Sequence, residues 1–151
     1  MEVVVEDVIW GFVHTLDNAR VARGYSVATL GERAGIGKLA WYSNASHARV
    51  PLLKRLMAVA TALGMDFKLT GRELPDTDGL VADQMVSNVV KSLEDRRKEL
   101  GASVTTLEKK ACLPKGAWYF TQSARHSVTA ERIIQVAMCL GCELTLEPLS
   151  T

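Results

Sequence analysis

A mainly α-helical protein of two tandem helical modules, related by a pseudo-two-fold axis and joined by a small antiparallel sheet, is predicted by three observations. First, the chain is written twice: residues 13–69 align with residues 90–146 at a shift of 77, without a gap, and 20 of the 57 pairs are identical. Second, each copy alternates stretches of helical apolar spacing with Gly and Ser at matching places. Third, each copy closes on a short run whose period changes from helical to two. A duplication without insertion is one supersecondary design used twice, and a chain that carries it can supply its own two-fold symmetry.

The elements follow in order. Apolar residues at 8, 9, 12, 13, 16, 19 and 22 have the i, i+3, i+4 spacing of an amphipathic helix over 8–22. Gly24 ends that helix by tolerating the left-handed backbone of a C-terminal cap, and Gly101 does the same for a helix over 84–100. Ser26 and Ser103 are N-caps for short second helices over 27–34 and 104–111. Tight turns at 35–37 and 112–114 lead into third helices over 38–46 and 115–123, with Pro114 suited to a helix start. Polar loops over 47–51 and 124–127 precede strongly apolar helices over 52–63 and 129–140. Residues 66–70 and 143–147 then alternate polar and apolar, the pattern of half-buried strands. Neither strand has a partner in its own copy, so the two are expected to pair with each other. That pairing puts Phe67, Leu69, Leu144 and Leu146 on one buried face, and Val3, Val4 and Val5 are candidates for a third strand. The domain reading is a first module over 1–70, a linker over 71–83 and a second module over 84–151. Fully extended, the linker reaches about 43 Å at roughly 3.3 Å per residue, enough to return to the start of the second copy.

Composition sets the class. Apolar residues make up 48% and charged residues 23% of the chain, ordinary globular proportions. Units of about 65–75 residues sit near the limit for a self-sufficient core, so the copies are expected to pack on each other. No apolar run approaches the roughly 20 residues of a membrane span, and Glu2, Glu6 and Asp7 are unlike a secretory leader. A cytoplasmic protein without a membrane partner is expected. The net charge of +1 is unevenly spread: residues 8–70 hold eight Lys/Arg against three acids, residues 84–149 nine against seven. The modules are therefore modestly basic, which permits nucleic-acid binding without requiring it. Cys112, Cys139 and Cys142 lie in the second copy only. Cys139 and Cys142 form C-x-x-C, but no second ligand pair stands at zinc spacing, and both read as structural thiols. No nucleophile–base, paired-carboxylate or phosphate-loop constellation occurs in both copies, so neither catalysis nor a metal or cofactor is expected.

The stretch from Gly24 through Ser26 and Gly31 to Lys38, with Arg49-Val50-Pro51 and Leu63-Gly64 beyond it, resembles the helix-turn-helix of the lambda repressor/Cro-like (XRE) family. Both copies carry the resemblance, so it covers nearly the whole chain. Gly31, Ala34 and Gly35 suit the close helix crossing of that motif, whereas Glu108 and Cys112 replace the two glycines in the second copy. The terminal strands resemble the intersubunit strand of HipB-type antitoxins. The resemblance implies that the third helices are recognition helices entering major grooves of double-stranded DNA. Lys38 and Lys115 would then reach a guanine edge or a phosphate, and the helix N-termini at Ser26 and Ser103 would meet phosphate oxygens. Gly37, Tyr42, Ser43, His47, Arg49, Tyr119, Gln122, Arg125 and His126 complete the candidate DNA-binding set. Trp41 and Trp118 stand where the family buries an aliphatic side chain and are read as core. The family often has a glutamine at Val27 and Val104 and an apolar residue at Asn44 and Thr121. Its helix-1 arginine, here Arg20 and Arg97, often pairs with a glutamate where Ala45 and Gln122 stand.

The function expected from this reading is sequence-specific transcriptional regulation, most simply repression, by a monomer that acts as a pseudo-dimer in a prokaryote or phage. The recognition helices differ at Gly37/Pro114, Leu39/Gly116, Ser43/Phe120 and Asn44/Thr121, so the half-sites of its operator are expected to be unequal. Two alternatives share the fold. One is an antitoxin that represses its own operon with a toxin as protein partner, although no toxin-wrapping tail follows the second strand. The other is a helix-turn-helix-derived protein-interaction module that no longer binds DNA.

Overall fold

The computed structural model describes residues 4–46, 50–123 and 128–149. Among these residues eight helices and two strands run in the order α1 (Val5–Ala22), α2 (Val27–Ala34), α3 (Ala40–Ala45), α4 (Leu53–Ala62), β1 (Met65–Leu69), α5 (Ala82–Glu99), α6 (Val104–Lys110), α7 (Ala117–Ser123), α8 (Ala130–Cys139) and β2 (Leu144–Pro148). The protein is mainly helical with one small antiparallel sheet. The bounds of α1 and α5, and those of α4 and α8, differ by 77 at both ends.

Local chemistry explains most of these limits. Glu6 and Asp7 lie in the first turn of α1 and complement its dipole, while Ile9, Val13 and Leu16 face the core. Val4 is the extended N-cap and Val5 the first helical residue. The third strand considered for Val3, Val4 and Val5 is therefore replaced by helix from Val5 onward, with Val3 outside the described residues. Ser26 Oγ accepts from the Thr29 N–H at 3.0 Å and Ser103 Oγ from the Thr106 N–H at 3.1 Å, so both serines cap as expected. The Gln84 side-chain oxygen accepts from the Val81 N–H at 3.0 Å and fixes the start of α5. This places the start of the second long helix at Ala82, two residues inside the expected linker. The remaining connection is tied down, with Arg72 Nη1 2.6 Å from Glu99 and Thr77 Oγ1 3.3 Å from Asp66.

The turn after each second helix shows how the copies diverge. Gly35 caps α2 at φ 71°, and Cys112, its counterpart after α6, holds φ 58°. The left-handed backbone costs an L-residue about 1–2 kcal/mol. Cys112 is exposed, so its side chain contributes little packing. Cys112→Gly is expected to raise stability by a net ~0.5–1 kcal/mol, after the extra unfolded-state freedom of glycine is subtracted. Urea unfolding checks this, and an unchanged or lower midpoint would contradict it.

The elements meet around one continuous core to which both copies contribute. Helix α4 packs on α5, and α1 packs on α8. The Phe12 ring meets Phe67 edge-on, with centroids 5.1 Å apart. Strands β1 and β2 pair antiparallel with Phe67 opposite Leu146, Lys68 opposite Thr145 and Leu69 opposite Leu144. Phe67, Leu69 and Leu144 are buried and Leu146 is half-buried against the core. A second backbone meeting lies at the start of α4 and α8, where Leu52 bridges to Thr129. The Leu53 N–H donates to Val128 O at 3.1 Å there, and the Ala130 N–H to Pro51 O at 3.2 Å.

Candidate nucleic-acid interface

Each short third helix is held on its long first helix by the same three groups. In the first copy, Arg20 Nε donates to Asp17 Oδ1 at 2.7 Å and Trp41 Nε1 donates to the same oxygen at 2.9 Å. Arg20 Nη1 also reaches Tyr25 O at 2.7 Å, which fixes the chain entering α2. In the second copy, Arg97 pairs with Glu94, Trp118 Nε1 donates to Glu94 Oε1 at 3.3 Å, and Arg97 Nη1 reaches Ala102 O at 2.6 Å. The arginines thus find their carboxylate three residues back in their own helix, which needs no acid in α3 or α7. The indoles of Trp41 and Trp118 are fully buried, as their core reading required.

These contacts set a pH dependence. The hydrogen bond from Arg20, helped by Trp41 and opposed by burial, holds the Asp17 carboxyl below its ordinary value. Burial pushes Glu94 up, but the hydrogen bonds from Arg97 and Trp118 outweigh it, and its carboxyl is also lowered. A folded-state pKa below the unfolded one contributes stability that is complete above the unfolded value, about 4, and is lost as pH falls through the folded value. Stability is therefore expected to fall below about pH 4. In Asp17→Asn with Glu94→Gln that acid limb should be shallower, at the cost of lower stability at pH 7. Urea midpoints from pH 2 to 7 test this; parallel curves for the two proteins would overturn the assignment.

The approach of the third helix to the second differs between copies. A Cβ on Gly31 would lie 2.8 Å from Gly37 O, so only glycine admits the turn this close to α2. Glu108 stands at that position in the second copy and is buried. Its carboxylate accepts from the Gly116 N–H at 3.1 Å and the Trp118 N–H at 2.9 Å, which satisfies the amide end of α7 from within. Glu108 was visible in the sequence only as a departure from a small residue.

The candidate residues are placed as follows. Gly37, Lys38 and Lys115 are exposed, but they precede the helices expected over 38–46 and 115–123, which begin at Ala40 and Ala117. Leu39 is not helical, at φ −103° and ψ 0°, and Gly116 takes φ 85°, which no right-handed helix admits. Ala40 N–H to Gly37 O and Ala117 N–H to Pro114 O, both 3.0 Å, close equivalent turns, so Pro114 opens a turn rather than a helix. Tyr42 and Tyr119 are 60% and 74% exposed, Ser43 and Gln122 half-buried, and Ser26 and Ser103 exposed at their caps. His47, Arg49, Arg125 and His126 lie outside the described residues. Asn44 and Thr121 are buried, and Thr121 Oγ1 donates to Ala117 O at 2.8 Å.

Two surface residues that the sequence marked only as differences between the copies were left out of the candidate contacts. Leu39, beside Lys38, is 73% exposed, and Phe120, beside Tyr119, is 60% exposed. They belong with Tyr42 and Tyr119, and the signal was their adjacency to those conspicuous side chains. The charge around these faces is one-sided. No acid occurs between Glu32 and Asp66, a span with Arg33, Lys38, Arg49, Lys54 and Arg55. None occurs between Glu108 and Glu131, a span with Lys109, Lys110, Lys115 and Arg125. Arg33 itself stacks over the Tyr25 ring, 4.6 Å from its centroid.

Cys112, Cys139 and Cys142 are free thiols, and burial pushes the Cys139 thiol up. Among the described residues no group of three His, Cys, Asp or Glu could hold a metal ion, and no helix is long and apolar enough to cross a membrane. Comparison with protein-family models, with curated proteins and with solved structures finds no match for the chain.

Proposed function

We propose that the chain is a sequence-specific DNA-binding transcriptional regulator, acting as a repressor, in which two fused helix-turn-helix modules grip one pseudo-palindromic operator. The modules are residues 1–70 and 84–151, with 71–83 as linker and α3 and α7 as recognition helices. The observation that carries this reading is where the copies meet. Lys68 faces Thr145 across the sheet and Leu52 faces Thr129, and in each case the partner is the residue 77 positions on, its own counterpart. Backbone segments that meet at their own equivalents are what a two-fold axis through both meetings requires. Such an axis suits duplex DNA, whose half-sites are themselves two-fold related. The acid-free basic stretches around α3 and α7 support the same partner.

The test is selection from random duplex DNA followed by titration of the enriched site. The reading expects two unequal half-sites with centres about 10 bp apart, occupied by one chain. It also expects the log of affinity to fall linearly with the log of salt, by about 0.9 per neutralised phosphate. Sedimentation should give a species of 16.5 kDa, since the strands already pair within the chain. Protection of a single short half-site, or a species of twice that mass, would contradict the fused-dimer geometry.

The uncharged α3 and α7 with their exposed apolar side chains favour a second reading, a protein-interaction module on the same scaffold. A stable complex with a cellular protein together with no DNA shift at low salt would replace the first reading by this one.

A further inference from the structure

We propose that Leu39 and Tyr42 in one half, and Tyr119 and Phe120 in the other, read the 5-methyl groups of thymine in the major groove; this rests on the DNA-binding reading above. Neither α3 (AWYSNA) nor α7 (AWYFTQS) carries a charged side chain, so neither helix supplies the arginine that reads guanine or the acid that reads cytosine. The amide that would read adenine is withdrawn in the first copy, where Asn44 is buried, and half-buried in the second, at Gln122. Besides the cations Lys38 and Lys115, one in each leading turn and free to meet a phosphate or a guanine edge, the two helices and their leading turns present to solvent two large apolar side chains each, with small hydroxyls beside them at Ser46 and Ser123. Of the features a base pair displays in the major groove, the thymine methyl is the apolar one.

The surroundings separate a groove from an apolar protein surface. Each apolar pair sits within a stretch that has cations and no acid; at the edges of the two stretches Glu32 is exposed, whereas Glu108 is buried and turned onto backbone amides. Phosphates on both sides of a groove match that pattern. The pairs are also offset: Leu39 has Gly116 as counterpart, and Phe120 has Ser43. The thymines read in the two half-sites therefore stand at different positions from the centre, and the asymmetry fixes the orientation of the chain on its site.

The test uses the full chain and the duplex selected above. Deoxyuridine replaces thymidine at the enriched positions of one half-site at a time, removing only the methyl group. Loss of each buried methyl is expected to weaken binding about fourfold. Phe120→Ser, which installs the counterpart residue at an exposed site, should reduce the thymine–uracil difference in one half-site, leaving the part read by Tyr119, and keep it whole in the other. The salt slope should not change. Equal affinity for the thymidine and deoxyuridine duplexes, with the duplex still bound, overturns this inference alone. Tighter binding of the separated strand, with no thymine preference, replaces it by base stacking. Absence of duplex binding at low salt removes the DNA reading and this inference together.

Discussion

Trp41→Ala and Trp118→Ala are each expected to lower stability by about 3–5 kcal/mol, the range for deleting a fully buried large aromatic side chain. Each indole is the only large apolar group that its short helix buries. Without it α3 keeps only a buried Asn44 and the half-buried Ala45 against the core, and α7 only Thr121, the small Ala117 and the backbone amides at its start on Glu108. The loss also removes a donor from Asp17 or Glu94. A total stability of about 5–15 kcal/mol is typical, so the double variant should be largely unfolded at 25 °C. Trp→Phe at either position separates the two effects. A phenyl ring stays while the N–H and part of the indole volume go, so the cost should be smaller, about 1–3 kcal/mol. Urea unfolding followed by circular dichroism measures all of these. A Trp→Ala cost under about 1 kcal/mol would mean that the indoles do not anchor these helices.

How much of this was legible depended on whether the cause was local. The starts of α2 and α6 could be read because a serine cap acts within a few residues. The strands could be read because a lone period-two segment must find a partner, and the equivalent segment of the other copy offered one. The starts of α3 and α7 were placed two residues early, because the turns at Gly37 and Pro114 consume Lys38-Leu39 and Lys115-Gly116 before the helix begins. The partners of Arg20 and Arg97 were sought in the third helix, by analogy. The better signal was in the repeat itself, where Asp17 and Glu94 occupy equivalent positions three residues before the arginines. Glu108 could not be assigned, since its two amide partners lie eight and ten residues on and meet it only in the fold. Leu39 and Phe120 could be read only as positions that differ between the copies, since their exposure depends on how the turn before α3 and the face of α7 sit in the fold. They are the residues that would give the two halves different preferences.

Replacing Leu69 and Leu144 together with lysine is expected to loosen the junction between the halves without unfolding them. The two side chains are buried and directly opposite on the ladder, so the change sets two like charges face to face in an apolar site. Neither charge has a carboxylate opposite it to pair with. Strand β1 should leave β2, while the chain connection, the packing of α4 on α5 and of α1 on α8 and the Leu52–Thr129 meeting still hold the copies near each other, in a less fixed orientation. In the proposed arrangement a tether preserves proximity but not orientation, and a full operator rewards both. Affinity for the full site should therefore fall at least tenfold, and affinity for an isolated half-site by less than about threefold. Lys68→Ala, at the exposed centre of the same ladder, should leave both affinities unchanged. Circular dichroism supplies the check on folding: the helical signal must survive for the ratio to count. With that signal retained, an unchanged ratio of full-site to half-site affinity would show that the sheet does not set the spacing of the two modules. A fall in both affinities by the same factor would show instead that the strands support each helix-turn-helix separately.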